Sequence, residues 1–137
     1  MKKFSQEEIG AFINLLDFSK IEGELIPIIV QDYETNEVLM LAFANKVAIE
    51  KSLETRYMHY YSRSRQRVWK KGEISGHFQE IEKIFVDCDK DSILMTVKQI
   101  GGACHEGYCS CFYRTFSEGT LKEIKKRIFN PKDVYGD

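Results

Sequence analysis

The sequence predicts an α+β fold, in which a few helices flank a larger number of strands. Apolar residues recur at helical spacing near the N-terminus, at Ile9, Phe12, Ile13 and Leu16, whereas later runs are rich in β-branched and aromatic residues. The chain has 137 residues, of which 43% are hydrophobic, and this is typical of one domain with one core. We therefore expect residues 1–137 to form a single domain.

Two helices are indicated by their N-terminal signals. Ser5 followed by Glu8 is the pattern of a capping box, in which side chains satisfy free backbone N–H groups at a helix start. Residues 5–17 are therefore predicted to be helical. Asn45 is predicted to cap a second helix that runs to about Thr55. Both helices are expected to turn an apolar face to the core.

Short runs of apolar, β-branched and aromatic residues predict the strands. These runs lie at residues 26–31, 38–43, 57–63, 80–88, 93–99 and 112–116. A polar stretch separates the first two runs and predicts a turn between them. The charged segment 122–137, which contains Pro131, is predicted to form a surface helix and a tail.

Charge and cysteine content narrow the classes of function. Lys and Arg number 20 and Asp and Glu number 21, so the net charge of −1 gives no general attraction to nucleic acid or to an anionic membrane. No apolar stretch approaches the ~18 residues of a membrane span, and the N-terminus lacks the apolar core of a signal peptide. We expect a cytoplasmic protein with neither partner. In that reducing compartment its four cysteines suit metal binding or catalysis better than disulfides, and plain free thiols are the alternative.

The first candidate site is an acidic segment after a predicted strand. If that strand continues, Asp87, Asp89 and Asp91 project from one face and Cys88 from the other. Carboxylates suit a hard cation such as magnesium, whereas a thiolate suits zinc, so one segment can border two metals. The segment lacks the glycine and glutamate that an EF-hand needs at its sixth and twelfth positions. A solvated acidic turn is the remaining alternative.

The second candidate site is the glycine-rich segment 101–114, which contains Cys104, His105, Cys109 and Cys111. Structural zinc sites commonly use two pairs of ligands, and the chain has no Cys-x-x-Cys pair. Three cysteines from separate segments would leave a fourth position on zinc for a water molecule, whose pKa falls to ~7 there. The Pro-Cys-x-x-Cys pattern of base deaminases is absent. Packing of buried thiols is the alternative.

The third candidate site is residues 59–73, where basic side chains alternate with hydroxyls and aromatic rings. Guanidinium and ammonium groups bind phosphates, and a purine can stack on a neighbouring ring. A platform for single-stranded nucleic acid uses the same residue types, so a zinc-stabilised RNA-binding module is the competing function. The near-neutral charge and the acidic segment argue against that module. A solvated strand face is the plain alternative.

In this order the three segments resemble the phosphoribosyl-AMP cyclohydrolase family, with the resemblance running over about residues 38–116. The matching stretches are 38–45, 59–65, 69–73, 75–76 with Gln79, 87–91, 103–105 and 110–114. The resemblance implies hydrolysis of the C6–N1 bond of the purine ring of phosphoribosyl-AMP, a phosphorylated nucleotide, by a zinc-activated water in histidine biosynthesis. It also implies a homodimer with a mixed, barrel-like sheet and zinc sites shared between subunits.

The resemblance assigns two sets of metal ligands, with Cys88, Cys104 and Cys111 binding zinc and Asp87, Asp89 and Asp91 binding magnesium. Cys109, which lies two residues from Cys111, is an additional thiol and an alternative ligand. His77 and Ile74 are further departures, since asparagine and threonine are common at these positions in the family.

His105 is the candidate for moving a proton, because an imidazole titrates near neutral pH. Its alternative role is to orient a zinc ligand from outside the coordination sphere. The candidates for binding the substrate and its two phosphates are Arg63, Arg65, Trp69, Lys71 and Arg114.

Overall fold

Helices and strands alternate unevenly along residues 3–136, which are the residues that the computed structural model describes. In chain order they are α1 (Gln6–Leu15), β1 (Ile26–Asp32), β2 (Val38–Ala44), α2 (Lys46–Thr55), β3 (His59–Ser62), β4 (Arg67–Lys70), β5 (Gln79–Val86), β6 (Ile93–Gln99), β7 (Arg114–Ser117), β8 (Thr120–Glu123) and α3 (Pro131–Tyr135). The predicted α+β class is confirmed. None of the helices in this part of the chain is long and apolar enough to cross a membrane.

The first two helices begin where their capping signals predicted. The Ser5 side chain accepts a hydrogen bond from the backbone N–H of Glu8, and the Glu8 carboxylate accepts one from the Ser5 backbone at 2.9 Å. The Asn45 side chain accepts the backbone N–H of Ala48 at 2.9 Å and caps α2. These caps satisfy N–H groups that have no partner within the helix, so the residues next to each helix start were enough to predict it.

A four-stranded sheet in the order β2-β1-β6-β5 forms one side of the core. Its central pair β1–β6 is parallel and its outer pairs are antiparallel, so the predicted mixed sheet is confirmed. Alternate residues of β1, at Ile26, Ile28 and Val30, are fully buried and pack with the apolar faces of α1 and α2. The period of two in burial is that of a strand with one face on the core.

The predicted barrel is wrong for the described residues 3–136. Strands β3 and β4 form a separate two-stranded sheet, as do β7 and β8, so the main sheet stays open. Its apolar face is instead covered by the helices and by β3, whose Tyr60 is fully buried in the same core. In a barrel, further strands would enclose the core; here the helices cover it instead.

The segment after residue 117 also differs from the prediction. A helix was expected from residue 122, but β8 occupies Thr120–Glu123 and only the short α3 follows. Glu118 and Gly119, both with positive φ, form the two-residue turn of the β7–β8 hairpin. Such turns require positive φ at both central residues, and this hairpin signal was missed.

Candidate active site

A cavity of about 440 Å³ is bounded by β3, β4 and the segment that follows them. Five of the six residues predicted to bind substrate or move a proton line it, namely Arg63, Arg65, Trp69, Lys71 and His105. Residues 63–66 form the turn between β3 and β4, where the backbone N–H of Arg65 donates to the Ser62 hydroxyl at 3.2 Å. This turn places two guanidinium groups at the rim, a suitable position for binding phosphate.

The loop after β6 brings two thiols together. Backbone hydrogen bonds run from Ala103 N–H to the Cys109 carbonyl at 3.0 Å and from Cys104 N–H to the Tyr108 carbonyl at 3.1 Å. The Cys111 N–H donates to the Leu39 carbonyl in β2 at 2.7 Å. As a result, the thiols of Cys104 and Cys111 lie close enough to interact electrostatically.

Lys71 lies beside this thiol pair. It is buried, and its Nζ donates a hydrogen bond to the Ala103 carbonyl at 2.5 Å. Burial lowers the pKa of Lys71, an effect that the nearby thiols of Cys111 and Cys104 partly offset. Desolvation, with a smaller contribution from Cys104, raises the pKa of Cys111 to about 11. The Cys111 thiol is therefore protonated at neutral pH and must lose its proton to bind a metal.

Cys109 is not part of the pair. Its thiol lies against Glu37, and its pKa is raised first by burial and then by that carboxylate. Glu37 also forms an ion pair with Lys125 at 3.3 Å. The geometry therefore favours Cys111 over Cys109 as the partner of Cys104.

Cys88 lies apart from the thiol pair within one chain. It is exposed in the turn that follows β5. Among the His, Cys, Asp and Glu side chains of residues 3–136, the only group of three or more with ligand atoms within 4.8 Å of one another is Asp87, Asp89 and Asp91. One described chain therefore supplies two of the three predicted zinc ligands at a single place.

The three aspartates meet in a turn, so the continuing strand on which their predicted alternation depended is not formed. Strand β5 ends at Val86, and Lys90 has a φ of 63°. The Asp87 carboxylate accepts the backbone N–H groups of Asp91 at 3.0 Å and Ser92 at 3.2 Å, so it closes the turn itself. Local side-chain-to-backbone hydrogen bonds of this kind favour turns over strands.

Lys20 supplies a cation to this acidic cluster. Its Nζ lies 2.6 Å from Asp89 and 3.2 Å from Asp91. Asp89 raises the pKa of the neighbouring Asp91 carboxyl, whereas a hydrogen bond from the Ser92 hydroxyl lowers the pKa of Asp87 well below its usual range. Crowded carboxylates repel one another unless a positive charge joins them, and here an ammonium group does so.

Two predicted residues remain to be placed. The side chain of His105 is 77% exposed, with Nε2 3.3 Å from a Glu106 carboxylate oxygen, and it faces the cavity. Arg114 is not among the described residues that line the cavity. Its guanidinium instead lies 5.0 Å from the centre of the Tyr113 ring. Tyr113 in turn stacks on Tyr108 at 3.6 Å.

Comparison with known proteins identifies the family. Residues 40–113 match the family model for phosphoribosyl-AMP cyclohydrolase. A phosphoribosyl-AMP cyclohydrolase from Methanothrix thermoacetophila is 57% identical over 114 residues, covering 83% of this chain and 92% of the relative. The chain belongs to the phosphoribosyl-AMP cyclohydrolase family.

Other relatives of the cyclohydrolase family agree. The phosphoribosyl-AMP cyclohydrolase of Methanoregula boonei is 55% identical, over 84% of this chain and 91% of its own length. The histidine biosynthesis bifunctional protein HisIE of Thermoanaerobacter pseudethanolicus is 54% identical over 89% of this chain, which spans 57% of that protein. The predictions of the family and of an enzyme are confirmed.

Below the cyclohydrolase cavity lies a buried polar pair whose roles sequence reasoning missed. Tyr60, which is fully buried, donates its hydroxyl to the Gln79 side chain at 2.5 Å, and Gln79 also donates to Gln99 at 2.8 Å. Burial, with a smaller contribution from Cys111, raises the pKa of Tyr60 well above its usual range. A neutral hydroxyl therefore fixes the floor of the cavity. Gln79 belongs to a motif of the family, but no pattern in the neighbouring sequence indicates that its hydrogen-bond partner is Tyr60.

The donor atoms fit the metals that the family resemblance implies. Cys104 and Cys111 offer two neighbouring soft ligands, and the Cys104 sulfur accepts the backbone N–H of Glu106 at 3.4 Å. The three aspartates offer hard oxygen ligands within 4.8 Å of one another. The chemistry of each cluster suits its predicted ion, while the ligand roles themselves stay predictions.

Replacing single thiols should identify the zinc ligands. Cys111→Ala should remove most of the bound zinc, because the mutation deletes half of the thiol pair. Cys109→Ala is the matched control two residues away and should keep its zinc. Zinc content is measured by atomic absorption on purified, dialysed protein. Full zinc in Cys111→Ala together with loss in Cys109→Ala would show that the other thiol is the ligand.

Removing Lys20 should strengthen magnesium binding at the aspartates, because the ammonium group competes with the ion. Exposed ion pairs are weak, so Lys20→Met should lower the magnesium Kd by up to about fivefold in isothermal titration calorimetry. Lys46→Met is the control, since Lys46 pairs with Glu24 at 3.9 Å instead. Weaker magnesium binding in Lys20→Met would contradict this competition.

Proposed function

We propose that this chain is a phosphoribosyl-AMP cyclohydrolase of histidine biosynthesis and opens the purine ring of its substrate by hydrolysis. The observation that carries the proposal is a cavity, in a chain of the cyclohydrolase family, where basic and aromatic side chains meet the loop of Cys104 and His105. Arginines suit the phosphates of such a substrate and an aromatic wall suits its base.

The chemistry begins with the electronic state of the substrate. A ribosyl phosphate on N1 makes the adenine ring cationic and leaves C6 electron-poor, so water adds at C6. When the adduct collapses, the C6–N1 bond breaks, and a carboxamide and an amidine remain. The exocyclic amine becomes the amide nitrogen, and one proton of the water passes to N1. The protein must hold the base, exclude competing solvent and move that proton.

The lining residues divide these tasks. Arg63 and Arg65 at the rim would bind the two phosphates, and Trp69 would lie against the base. His105 reaches the cavity with an exposed imidazole and would accept and return the proton, assisted by its contact with Glu106. Lys71 would keep the loop in place through the Ala103 carbonyl.

We further propose that Cys104 and Cys111 hold a zinc ion together with Cys88 of the partner subunit. When bound, zinc would lower the pKa of a coordinated water to ~7 and so supply a nucleophile near neutral pH. Support comes from the adjacency of the two thiols and from the separate position of Cys88 in one chain. Because the thiolate is the form that binds a metal and the pKa of Cys111 is raised to about 11, zinc should bind less well as the pH falls.

A homodimer is also supported by the hairpin of β7 and β8. Phe116 and Leu121 are cross-strand partners, and the two residues are 73% and 61% exposed. An isolated two-stranded hairpin is marginal in water, so apolar residues on such a hairpin favour contact with a second surface. A second copy would cover this surface and bring its own Cys88 to the thiol pair.

Magnesium at Asp87, Asp89 and Asp91 and a cytoplasmic location complete the proposal. The first is supported by three converging carboxylates. The second is supported by the candidate metal-binding role of the cysteines, since free thiols of this kind persist in a reducing compartment.

The activity is tested by adding the zinc-loaded protein to phosphoribosyl-AMP and following ring opening by ultraviolet absorbance. Steady turnover is expected, with near-complete loss in Cys104→Ala and little change in Cys109→Ala. Cys104→Ala is expected to lose bound zinc as well, so zinc content is measured beside the rate. No ring opening by the zinc-loaded, folded wild type would reject the proposed function.

Sharing of the zinc site is tested by mixing two inactive variants. Cys88→Ala and Cys104→Ala homodimers should each be inactive, because symmetry places the defect in both sites. After co-refolding, about half of the dimers are hybrid and one site of each hybrid is intact, so about a quarter of the wild-type activity should return. Verified hybrid dimers without restored turnover would show that the site is built within one chain.

A further inference from the structure

The chain after β8 crosses back over the loop that carries Cys104 and His105. We call residues 124–136 the C-terminal strap. Arg127 Nε donates to the Glu106 carbonyl at 2.8 Å, and the Ile128 N–H donates to the Gly107 carbonyl at 2.8 Å. Both acceptors lie directly after His105 in the chain, so the strap is attached where the loop approaches the cavity.

Phe129 anchors the strap in a notch between two glycines. A Cβ atom at Gly102 would lie 2.7 Å from the Phe129 ring, and one at Gly107 would lie 2.5 Å from the Phe129 carbonyl oxygen. The ring also meets His77 edge-on, with centroids 4.8 Å apart. Since a side chain at either glycine would collide with it, the strap is closely packed on the loop.

The anchored strap ends in α3, which brings one aromatic side chain to the cavity. The Asn130 side chain accepts the backbone N–H of Lys132 at 3.1 Å and starts the helix with Pro131 at its first turn. Tyr135 then packs on Phe129 with ring centroids 6.4 Å apart and lines the cavity beside His105. The residue is 38% exposed, which leaves part of it available to a ligand in the cavity that it lines.

We propose that Tyr135 is a substrate-binding residue, whose ring contacts the purine base or ribose of the nucleotide in the cavity. The inference rests on the proposed function for the identity of that nucleotide. Trp69 and Phe43 line the same cavity, so Tyr135 adds an aromatic surface to a wall that already suits a base. The arginines at the rim provide for the phosphates, and the strap fixes the position of the ring.

The test measures nucleotide binding and turnover in the same variants. Trp69 is the single tryptophan of the chain and lines the cavity, so its fluorescence reports binding of AMP, an unreactive fragment of the substrate. Stacking of one base on an aromatic ring is worth enough to change affinity about fivefold or more. Tyr135→Ala should therefore raise the Kd for AMP and the KM for phosphoribosyl-AMP by at least about fivefold.

Two variants control the comparison. Tyr135→Phe keeps the ring and should stay within about twofold of wild type. Tyr33→Ala removes a tyrosine of matching exposure, 39% against 38%, from outside the cavity lining, and should leave both constants unchanged. Thermal unfolding of each variant verifies that it is folded.

The outcomes separate this inference from the proposed function. Wild-type KM and wild-type Kd in folded Tyr135→Ala, while the wild type opens the ring, would overturn the role of Tyr135 and leave the proposed function standing. If the wild type binds AMP without opening the ring, the proposed function fails, and the Kd of Tyr135→Ala still decides whether Tyr135 contacts a nucleotide.

Discussion

The closure of the loop after β6 is the constraint on which the candidate active site depends. Backbone hydrogen bonds fold residues 103–109 onto themselves, and the Cys111 N–H ties the end of the loop to the Leu39 carbonyl in β2. This closure sets Cys104 beside Cys111 and presents His105 to the cavity. The loop is irregular, so its backbone groups need such partners to be buried without a large free-energy cost. The sheet thereby fixes the position of the candidate ligands.

A lysine stands beside each candidate metal cluster. Lys71 is buried next to the two thiols, and Lys20 joins two of the carboxylates. In both places a positive charge from the protein compensates groups that would otherwise repel one another when ionised. The two lysines differ in burial. The Lys20 side chain is 44% exposed beside the aspartates, whereas Lys71 is buried in the cavity wall and held there by the Ala103 carbonyl.

The parts of the fold that were predicted correctly have local causes. Helix starts follow from caps at Ser5 and Asn45, and the first strands follow from apolar runs, so neighbouring residues contain the information. The open sheet depends on pairing between strands that are far apart in the sequence, and no local pattern predicts which strands pair. The aspartates converge as predicted, but through a turn closed by Asp87, because side-chain hydrogen bonds to the backbone ended the strand. Likewise, the contact of Cys109 with Glu37 is set by packing between distant segments and was not readable.

The central claim is that the thiol pair of one chain supplies two of the three protein ligands of a zinc site and that the partner supplies the third. A crystal structure of the zinc-loaded protein, with the metal located by anomalous scattering at the zinc absorption edge, tests this claim most directly. We expect one zinc ion per cavity, ~2.3 Å from the sulfurs of Cys104 and Cys111 of one chain and of Cys88 of the partner subunit. A zinc ion bound through Cys109, or through three sulfurs of a single chain, would contradict the claim.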